Sequence, residues 1–292
     1  MANSNFDREN TGLVSRREFL TDVGIAVAGA AVVPAAAAAM ARQSGAAPRG
    51  IQLFNGKDLS SLSTWLNGPG RNNDPNKVFT VHDGLLHISG QTFGAILTER
   101  EYENYRVIAE WKWGDKTWPP RPNGARDSGM LLQCGSEDGG FRGDWPESIE
   151  FQIYQGAVGD FILMGNKNGV SVTLEGEMRD DKLFHYVPGK PAQVRETVHD
   201  GKPTGITYII PHLNRDPNWQ NVLDFQGKDD AEKPKGEWNT IEAICDGDTI
   251  TNIVNGRVVN KATKVSPRRG RIGLQSEGAE IFFRRFELFP LK

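Results

Sequence analysis

The chain has 292 residues, and its 34 Lys and Arg against 37 Asp and Glu give a formal net charge of −3. A balance this close to neutral lacks the basic excess that drives binding to phosphate backbones, so no nucleic acid is expected as a partner. With 33 Gly, 16 Pro and 9% aromatic residues, the composition also argues against a coiled coil or a disordered chain. It indicates a globular protein rich in turns.

The first 41 residues carry the pattern of an export signal. The segment Arg16-Arg17-Glu18-Phe19-Leu20 precedes an apolar run of small residues over 23–39, which ends in Ala39-Met40-Ala41. The arginine pair resembles the twin-arginine signal, which is read by a translocase that exports folded proteins. We therefore expect a cleavable signal peptide over 1–41, the twin-arginine translocase as a partner, and a periplasmic or secreted protein. A membrane anchor is the alternative, but the run is weakly hydrophobic and shorter than the roughly 20 residues that span a bilayer.

From residue 50 onward, short β-branched and aromatic runs alternate with Gly, Asn, Asp and Pro, which is typical of an all-β sandwich. The predicted strands are Phe79–Val81, Leu85–Ser89, Ala95–Thr98, Tyr105–Trp113, Ser128–Cys134, Ser148–Tyr154, Thr207–Ile210, Trp238–Cys245, Thr249–Val254, Gly270–Gln275 and Ile281–Phe289. The sequences Asp246-Gly247-Asp248 and Asn255-Gly256 predict tight turns between strands. Residues 115–126 and 214–236 are predicted as long loops, and 50–292 as one domain.

Several motifs along this domain occur together in the order of a known family. They are Leu53-Phe54-Asn55-Gly56-Lys57-Asp58-Leu59, Asp83-Gly84-Leu85-Leu86-His87, Asp127-Ser128-Gly129-Met130-Leu131, Ser148-Ile149-Glu150-Phe151-Gln152-Ile153, Gly236-Glu237-Trp238-Asn239, Val254-Asn255-Gly256, Gly270-Arg271-Ile272-Gly273-Leu274-Gln275 and Phe283-Arg284-Arg285-Phe286. The ordered set resembles the 3-keto-disaccharide hydrolase family, a 3-keto-glucoside lyase/hydratase-like domain formerly of unknown function. The resemblance covers 50–292 and implies a concanavalin-like jelly-roll β-sandwich. It also implies an exported enzyme that cleaves the glycosidic bond of 3-keto-glycosides or 3-keto-disaccharides.

Two positions depart from the family's usual pattern. Asp127 stands where the family commonly has Asn, and Arg284-Arg285 replaces Arg-Asn. A carboxylate in place of an amide at Asp127 alters what that position offers to a metal ion or a substrate.

The strongest catalytic candidate is Glu150. Alternation along the predicted strand 148–154 places Glu150, Gln152 and Tyr154 on one face and turns the residues between them toward the core. A carboxyl group there is suited to general acid or base work, although a wet outer strand face is the alternative. Jelly-roll glucanases usually carry Glu-x-Asp-x-x-Glu, whereas this chain has Gln152 and Gln155 at the second and third positions. The usual second carboxylate is therefore missing locally.

That absence fits the chemistry that the resemblance implies. A ketone at C3 acidifies the hydrogen at C2, so a base can remove it while the glycosidic oxygen leaves from C1, and hydration completes the cleavage. Glu150 is assigned to proton transfer. The substrate-binding candidates are Asp127, Gln152, Tyr154, Gln275, Arg284, Trp118 and Trp145. Arg284 is equally compatible with a structural ion pair, whereas Trp118 and Trp145 lie in loops near proline and offer aromatic surfaces to a sugar.

No cofactor is certain, but a divalent metal ion is possible because it would polarise the ketone. Asp127, Glu150 and one of His185, His199 and His212 are the candidate ligands, although each His is more simply explained as a surface residue. The chain lacks Gly-x-Gly-x-x-Gly in a βαβ unit, so a separate sugar 3-dehydrogenase must make the 3-keto-sugar substrate. The competing hypothesis is a lectin-like carbohydrate-binding module without turnover.

Overall fold

A computed structural model of the chain describes residues 50–165, 169–180, 183–190, 192–196, 207–213 and 215–292. The predicted signal peptide and His199 lie outside these ranges, and the residues within them belong to one compact unit. No helix in the described part of the chain is long and apolar enough to cross a membrane.

Throughout the described residues the regular elements are β-strands, arranged in two sheets. The first sheet contains β1 (Ile51–Gln52), β4 (Phe79–His82), β5 (Leu85–Ile88), β7 (Tyr105–Thr117), β11 (Ser171–Met178), β12 (Phe184–Tyr186), β13 (Ala192–Glu196), β15 (Asn239–Asp246), β16 (Thr249–Val254), β17 (Arg257–Ser266) and β19 (Ala279–Pro290). The second sheet contains β2 (Leu62–Leu66), β3 (Gly70–Arg71), β6 (Gly94–Thr98), β8 (Asp127–Cys134), β9 (Ser148–Tyr154), β10 (Phe161–Met164), β14 (Thr207–Ile210) and β18 (Arg271–Ser276).

The chain crosses repeatedly from one sheet to the other, as in a jelly roll. The first sheet runs β12-β11-β17-β16-β15-β7-β19-β5-β4, with β1 added on β19 and β13 on β11. The second runs β14-β10-β9-β8-β18-β6-β2-β3, and neighbouring strands in both sheets are antiparallel. The predicted all-β, concanavalin-like jelly-roll sandwich is confirmed.

The core lies between the two sheets and is built by alternation. On β9, Phe151 and Ile153 are buried in the same apolar cluster as Trp111 and Phe283 of the first sheet. Because successive side chains on a strand point to opposite faces, the residues between Phe151 and Ile153 face away from this core. Every second side chain of the middle strands therefore lies on the outer face of the second sheet, away from the core.

The sequence predicted most strand positions correctly but missed several strands. Those missed are β1, β2, β3, β10, β11, β12 and β13, and of β17 only the Asn255-Gly256 turn that precedes it was predicted. On β10 the run Phe-Ile-Leu-Met lacks alternation because both of its faces are buried. The two predicted turns are confirmed, since Gly247, Asn255 and Gly256 have φ angles of 57°, 46° and 81°.

A buried carboxyl group ties the segment before β15 to the sandwich. The Trp113 indole N–H donates to Glu232 at 2.7 Å, and the Gly156 N–H donates to the other oxygen of Glu232 at 3.0 Å. Burial raises the pKa of Glu232 to about 8. The group therefore remains protonated in the folded protein at a pH where it would ionise in the unfolded chain.

This difference makes the free energy of unfolding depend on pH. An unfolded Glu has its ordinary pKa of 4.5, so the stability that Glu232 contributes is complete below that pH and is lost as the pH rises toward 8. Gln cannot ionise, so we expect the free energy of unfolding of Glu232→Gln, measured with urea, to fall less between pH 5 and pH 8 than that of the wild type. The variant's stability at pH 5 falls by about 1 kcal/mol, because an amide accepts one hydrogen bond fewer. Glu237→Gln, at an exposed position, is the control, and an unchanged pH slope in Glu232→Gln would contradict the assignment.

Candidate active site

A cavity of about 460 Å³ lies over the outer face of the second sheet, within the size range of small-molecule sites. Its floor comes from three adjacent strands, β9, β8 and β18. Strand β9 contributes Glu150, Gln152 and Tyr154, β8 contributes Asp127, and β18 contributes Gln275. These are five of the eight residues that the sequence singled out for catalysis or substrate binding, and the antiparallel register brings them together.

Gly129 makes room for the carboxyl group of Glu150. On β8, Gly129 lies opposite Gln152, and Leu131 lies opposite Glu150. A Cβ at Gly129 would stand 2.1 Å from Glu150 Oε1, which is far inside contact distance. The Glu150 side chain therefore leans along the sheet over Gly129, toward the Asp127 end of β8.

A single guanidinium group organises the acidic end of the cavity. Arg121 forms ion pairs with Asp127 at 2.7 Å and with Glu277 at 2.6 Å. It also donates to the Tyr154 hydroxyl at 3.1 Å, and its guanidinium carbon lies 5.3 Å from the centre of the Tyr154 ring. Arg121 and Glu277 line the cavity together with the floor residues.

Burial raises the pKa values of the three carboxyl groups, and repulsion from neighbouring carboxyl groups adds to the rise. For Glu150, burial acts first, and Glu277 and Asp127 then raise the pKa further. Burial also raises the pKa values of Asp127 and Glu277, and Arg121 opposes the rise in all three groups. Arg121 pairs directly with Asp127 and Glu277 but not with Glu150, so the buried Glu150 has a raised pKa and no guanidinium bonded to it.

The same neighbours shift two further groups. Burial disfavours the charge on Arg121, but Asp127 and Glu277 outweigh it and raise the pKa of Arg121. Burial, with the nearby charge of Asp127, raises the pKa of Tyr154 to about 12. The cavity therefore contains a fixed positive charge and a neutral phenol beside the three carboxyl groups.

Four floor residues each carry a buried side-chain oxygen that lacks a hydrogen-bond partner among the described residues. These atoms are Asp127 Oδ1, Glu150 Oε1, Gln152 Oε1 and Gln275 Oε1. Buried polar atoms are normally paired, so a group of unpaired acceptors at one cavity indicates that a ligand or ordered water supplies the donors. A polyhydroxylated ligand has such donors in abundance.

Two aromatic rings and a guanidinium group, in contact one after another, form one wall of the cavity. The rings of Tyr154 and Trp219 lie 5.0 Å apart, and the guanidinium of Arg215 lies 4.6 Å from the centre of the Trp219 ring. Arg215 forms an ion pair with the buried Asp160 at 2.5 Å, and the His212 backbone N–H donates to Asp160 at 2.8 Å. Burial, opposed by Arg215, raises the pKa of Asp160 to about 6.

The opposite wall is the segment 135–147, which folds over the second sheet. Its Asp138 is held by Arg271 at 2.6 Å and Arg71 at 2.7 Å. The Trp145 indole N–H donates to the Gly94 carbonyl at 3.0 Å, and its ring stacks on Phe93. Trp145 lines the cavity, as a buried wall residue with only 5% of its surface exposed.

Two predicted substrate-binding residues lie elsewhere, because their side chains hold the scaffold. The Trp118 indole N–H donates to the Ser89 carbonyl at 2.9 Å, which anchors the loop that carries Arg121. Arg284 belongs to the first sheet, where it pairs with Glu110 at 2.6 Å and lies over the Trp238 ring. Of the two roles considered for Arg284, the structure shows the ion pair.

The residues considered as metal ligands do not all converge. Asp127 and Glu150 share the cavity, but neither His185 nor His212 lines it. Burial lowers the pKa of His212 to about 3. Among the described residues, no three or more His, Cys, Asp or Glu side chains are arranged to hold a metal ion.

Several cavity residues escaped the sequence prediction. They are Arg121, Glu277, Asp160, Arg215 and Trp219. Arg121 lies in the predicted loop over 115–126, and Arg215 and Trp219 lie in that over 214–236, so their sequence signal was only membership of a long loop on a β scaffold. Glu277 follows the predicted strand that contains Gln275, at a turn whose neighbours in space the sequence does not reveal.

Comparison with known proteins identifies one matching family. Residues 50–288 match the model of the 3-keto-alpha-glucoside-1,2-lyase-like domain. The match spans nearly all of the described chain and confirms the family expected from the motifs. None of the curated protein sequences compared with this chain matches it.

Among solved structures, a candidate glycosyl hydrolase from Parabacteroides distasonis is similar at 20% identity and a TM-score of 0.46, over 83% of this chain and 100% of that one. The β-glucanase of Bacillus licheniformis is similar at 10% identity and a TM-score of 0.40, over 86% and 100%. A carbohydrate-binding module from Bacillus subtilis is similar at 11% identity and a TM-score of 0.39, over 78% and 95%. At identities this low, the likeness concerns the fold alone.

The role of Gly129 can be tested by Gly129→Ala. The new methyl group displaces the Glu150 carboxyl group toward solvent, so we expect the pKa of Glu150 to fall toward its ordinary value in a carbon-13 NMR titration. Gly273→Ala is the matched control. Its Cβ would stand 2.6 Å from Leu97 and 2.9 Å from the Ile96 carbonyl, and Glu150 is not among its nearest neighbours. Both variants lose about 1–3 kcal/mol through overpacking. An equal pKa change in both would show that Gly129 has no specific role.

The role of Arg121 can be tested by Arg121→Met. Removing one partner of a buried ion pair costs about 3–5 kcal/mol, and here the uncompensated groups are Asp127 and Glu277. Carboxyl groups with raised pKa values stabilise the folded state at low pH and lose that contribution as the pH rises. The loss of stability is therefore larger at pH 8 than at pH 5.

Thermal unfolding at the two pH values measures this difference. Arg284→Met serves as the control, because its exposed ion pair contributes only about 0–1 kcal/mol. A loss in Arg121→Met that is the same at both pH values would contradict the proposed charge balance.

Proposed function

Because the chain belongs to the family of 3-keto-alpha-glucoside-1,2-lyase-like domains, we propose that it cleaves the glycosidic bond of 3-keto-glycosides, including 3-keto-disaccharides. The family membership makes it a carbohydrate-active protein. The observation that carries the proposal is the cluster of Glu150, Asp127 and Glu277 with Arg121 in one cavity. It combines a group that transfers protons with a fixed positive charge.

The floor of the cavity matches the polar groups of a sugar. Gln152 and Gln275 supply unpaired acceptor oxygens, and sugar hydroxyls are donors. A hydroxyl bound by these amides would be oriented over the sheet, and the amides themselves cannot exchange protons. We assign Gln152 and Gln275 to binding, with Tyr154 and Trp145 as the nearby aromatic walls.

The proposed reaction is an elimination across C1 and C2. A carboxylate removes the proton from C2, the C2–H electrons form the C1=C2 bond, and the C1–O bond breaks as the aglycone departs. The ketone at C3 makes the C2 proton acidic because the negative charge spreads onto the ketone oxygen. Addition of water across C1=C2 then gives the 3-keto-sugar, so the overall change is hydrolysis.

Glu150 is assigned to the proton transfer. Its raised pKa makes the ionised form a stronger base than an ordinary Glu, and the protonated form can then give the proton to the departing oxygen. Arg121 supplies positive charge that stabilises the enolate as it forms. Asp127 and Glu277 hold Arg121 in place through their ion pairs.

An ordinary two-carboxylate glycosidase mechanism has less support. Gln155, at the third position of the glucanase-like run, accepts hydrogen bonds from Arg126 and from the Asp224 N–H, and it does not line the cavity. Asp127 and Glu277 are further carboxyl groups in the cavity, but both pair with Arg121. A fourth cavity carboxyl group, Asp160, pairs with Arg215. Among the described residues, Glu150 is the cavity carboxyl group without an ion pair to a guanidinium.

We further propose the context of this activity. The 3-keto-sugar comes from a separate sugar 3-dehydrogenase, and the twin-arginine signal over 1–41 directs the protein to the periplasm or the exterior. Of the candidate metal ligands only Asp127 and Glu150 share the cavity, and no third ligand joins them among the described residues, so the proposed reaction assigns no step to a metal ion.

The direct test is product analysis by mass spectrometry. The purified protein is given trehalose or 3-keto-trehalose, each with and without EDTA. Cleavage of the keto form alone is the expected result, because only the ketone acidifies C2, and loss of cleavage with EDTA would show that a metal ion takes part. Cleavage of neither, with measurable sugar binding, would support a lectin-like module instead.

A second test concerns Glu150. We expect Glu150→Gln to bind substrate with similar affinity and to lose about 10²–10⁴-fold in turnover, the range for removal of a general acid–base group. Glu110→Gln, on the first sheet, should retain the full rate. Turnover near wild type in Glu150→Gln would remove Glu150 from the mechanism.

A further inference from the structure

The outer face of the second sheet changes character at β9. On one side of β9 the cavity residues are polar, namely Asp127 on β8 and Gln275 on β18. On the other side, Ile162 of β10 lies directly opposite Glu150, and Ile209 of β14 lies directly opposite Ile162. Both isoleucines line the cavity. The floor therefore passes from hydrogen-bonding groups to an aliphatic surface within one strand.

This aliphatic surface is backed by apolar packing. Ile162 and Met164 belong to a buried apolar cluster with Phe141 and Trp145 of segment 135–147, and all four line the cavity. Ile209 is 43% exposed, so the surface reaches from the buried cluster to solvent. We call Ile162, Met164, Ile209 and Phe141 the apolar strip.

The charged residues that border the strip have partners of their own. Asp160, which precedes β10, pairs with Arg215 and accepts from the His212 N–H. Arg142 lies with its guanidinium carbon 4.9 Å from the centre of the Phe141 ring. A polar group seated on the strip would lose its bonds to water and find aliphatic carbon instead, which is unfavourable.

The spacing of the strip fits a group attached at C1 of the sugar. Neighbouring strands lie about 4.8 Å apart, so the backbones of Ile162 and Ile209 lie roughly 5 and 10 Å across the sheet from that of Glu150. The Glu150 carboxyl group leans over Gly129 on the other side of β9, which leaves room for a sugar ring between it and the strip. If Glu150 acts at the C1–C2 bond, the aglycone leaves from the same place. A ring bonded to the glycosidic oxygen would then lie over Ile162 and Ile209.

We propose that the apolar strip binds the aglycone, and that the preferred substrates are 3-keto-glycosides of aromatic or alicyclic alcohols and phenols rather than 3-keto-disaccharides. This inference rests on the proposed function of the cavity and specifies its substrate class. Burial of apolar surface against Ile162 and Ile209 supplies the preference. A second sugar ring would instead place hydroxyl groups over the strip.

The test is calorimetric titration with three unoxidised ligands, phenyl α-glucoside, methyl α-glucoside and trehalose. They share the glucose unit and differ in what C1 carries. We expect the full-length protein to bind the phenyl glucoside at least about tenfold more tightly than the methyl glucoside, and trehalose no more tightly than the methyl glucoside. Ile209→Asn should remove most of the phenyl advantage and leave the affinity for the methyl glucoside unchanged.

Val258→Asn is the matched control, since Val258 is 48% exposed on a strand of the other sheet. Ile162→Thr, which keeps the branched Cβ but is smaller and polar, provides a second variant, and thermal unfolding confirms that each protein is folded. Equal affinity for the phenyl and methyl glucosides, or a preference for trehalose, would contradict the proposal that the apolar strip binds the aglycone. The proposed cleavage reaction would be unaffected by either result. Failure of all three ligands to bind, together with no cleavage of 3-keto-trehalose, would overturn the proposed function and the strip with it.

Discussion

The ion pairs that Arg121 makes with Asp127 and Glu277 are the interaction on which the cavity depends. Three carboxyl groups buried beside one another repel, and each also loses its hydration. One guanidinium group forms ion pairs with two of them and leaves the third, Glu150, with a raised pKa and no ion pair of its own. The structure therefore separates the carboxyl groups into two that fix a positive charge and one that can exchange a proton.

The position of Arg121 in turn depends on contacts between its loop and residues that are distant from that loop in the sequence. Trp118 fixes the start of its loop, through the indole bond to Ser89 and a backbone bond to the Gly278 carbonyl at 2.8 Å. Asn221 accepts from the Ala125 N–H near the end of the same loop at 3.0 Å. Trp118 therefore serves the cavity indirectly, because it holds the residue that the carboxyl groups require.

The second sheet performs two tasks with its two faces. Its inner face, with Phe151 and Ile153, packs on the first sheet and supplies the rigidity of the sandwich. Its outer face carries the polar floor on β8, β9 and β18, and the three sheet residues of the apolar strip, Ile162, Met164 and Ile209, on β10 and β14. Because side chains alternate strictly along a strand, the residues that stabilise the fold and those that line the cavity occupy successive positions. A sugar and the group attached to it can thus be held side by side on one rigid surface.

Alternation also explains what the sequence by itself determined. It established the all-β class, most of the strands, the turns at Gly247 and Gly256, and the shared face of Glu150, Gln152 and Tyr154, since all of these follow from local spacing and turn chemistry. The sequence could not show that Arg284 forms an ion pair on the first sheet instead of lining the cavity. It also gave no sign that Arg121 and Glu277 line the cavity. Only the tertiary structure decided those, because an ion pair between residues 156 positions apart depends on how loops and strands meet in space. The burial that raises the pKa of Glu150 is likewise a property of the folded sandwich and its covering loops, which no local pattern of residues contains.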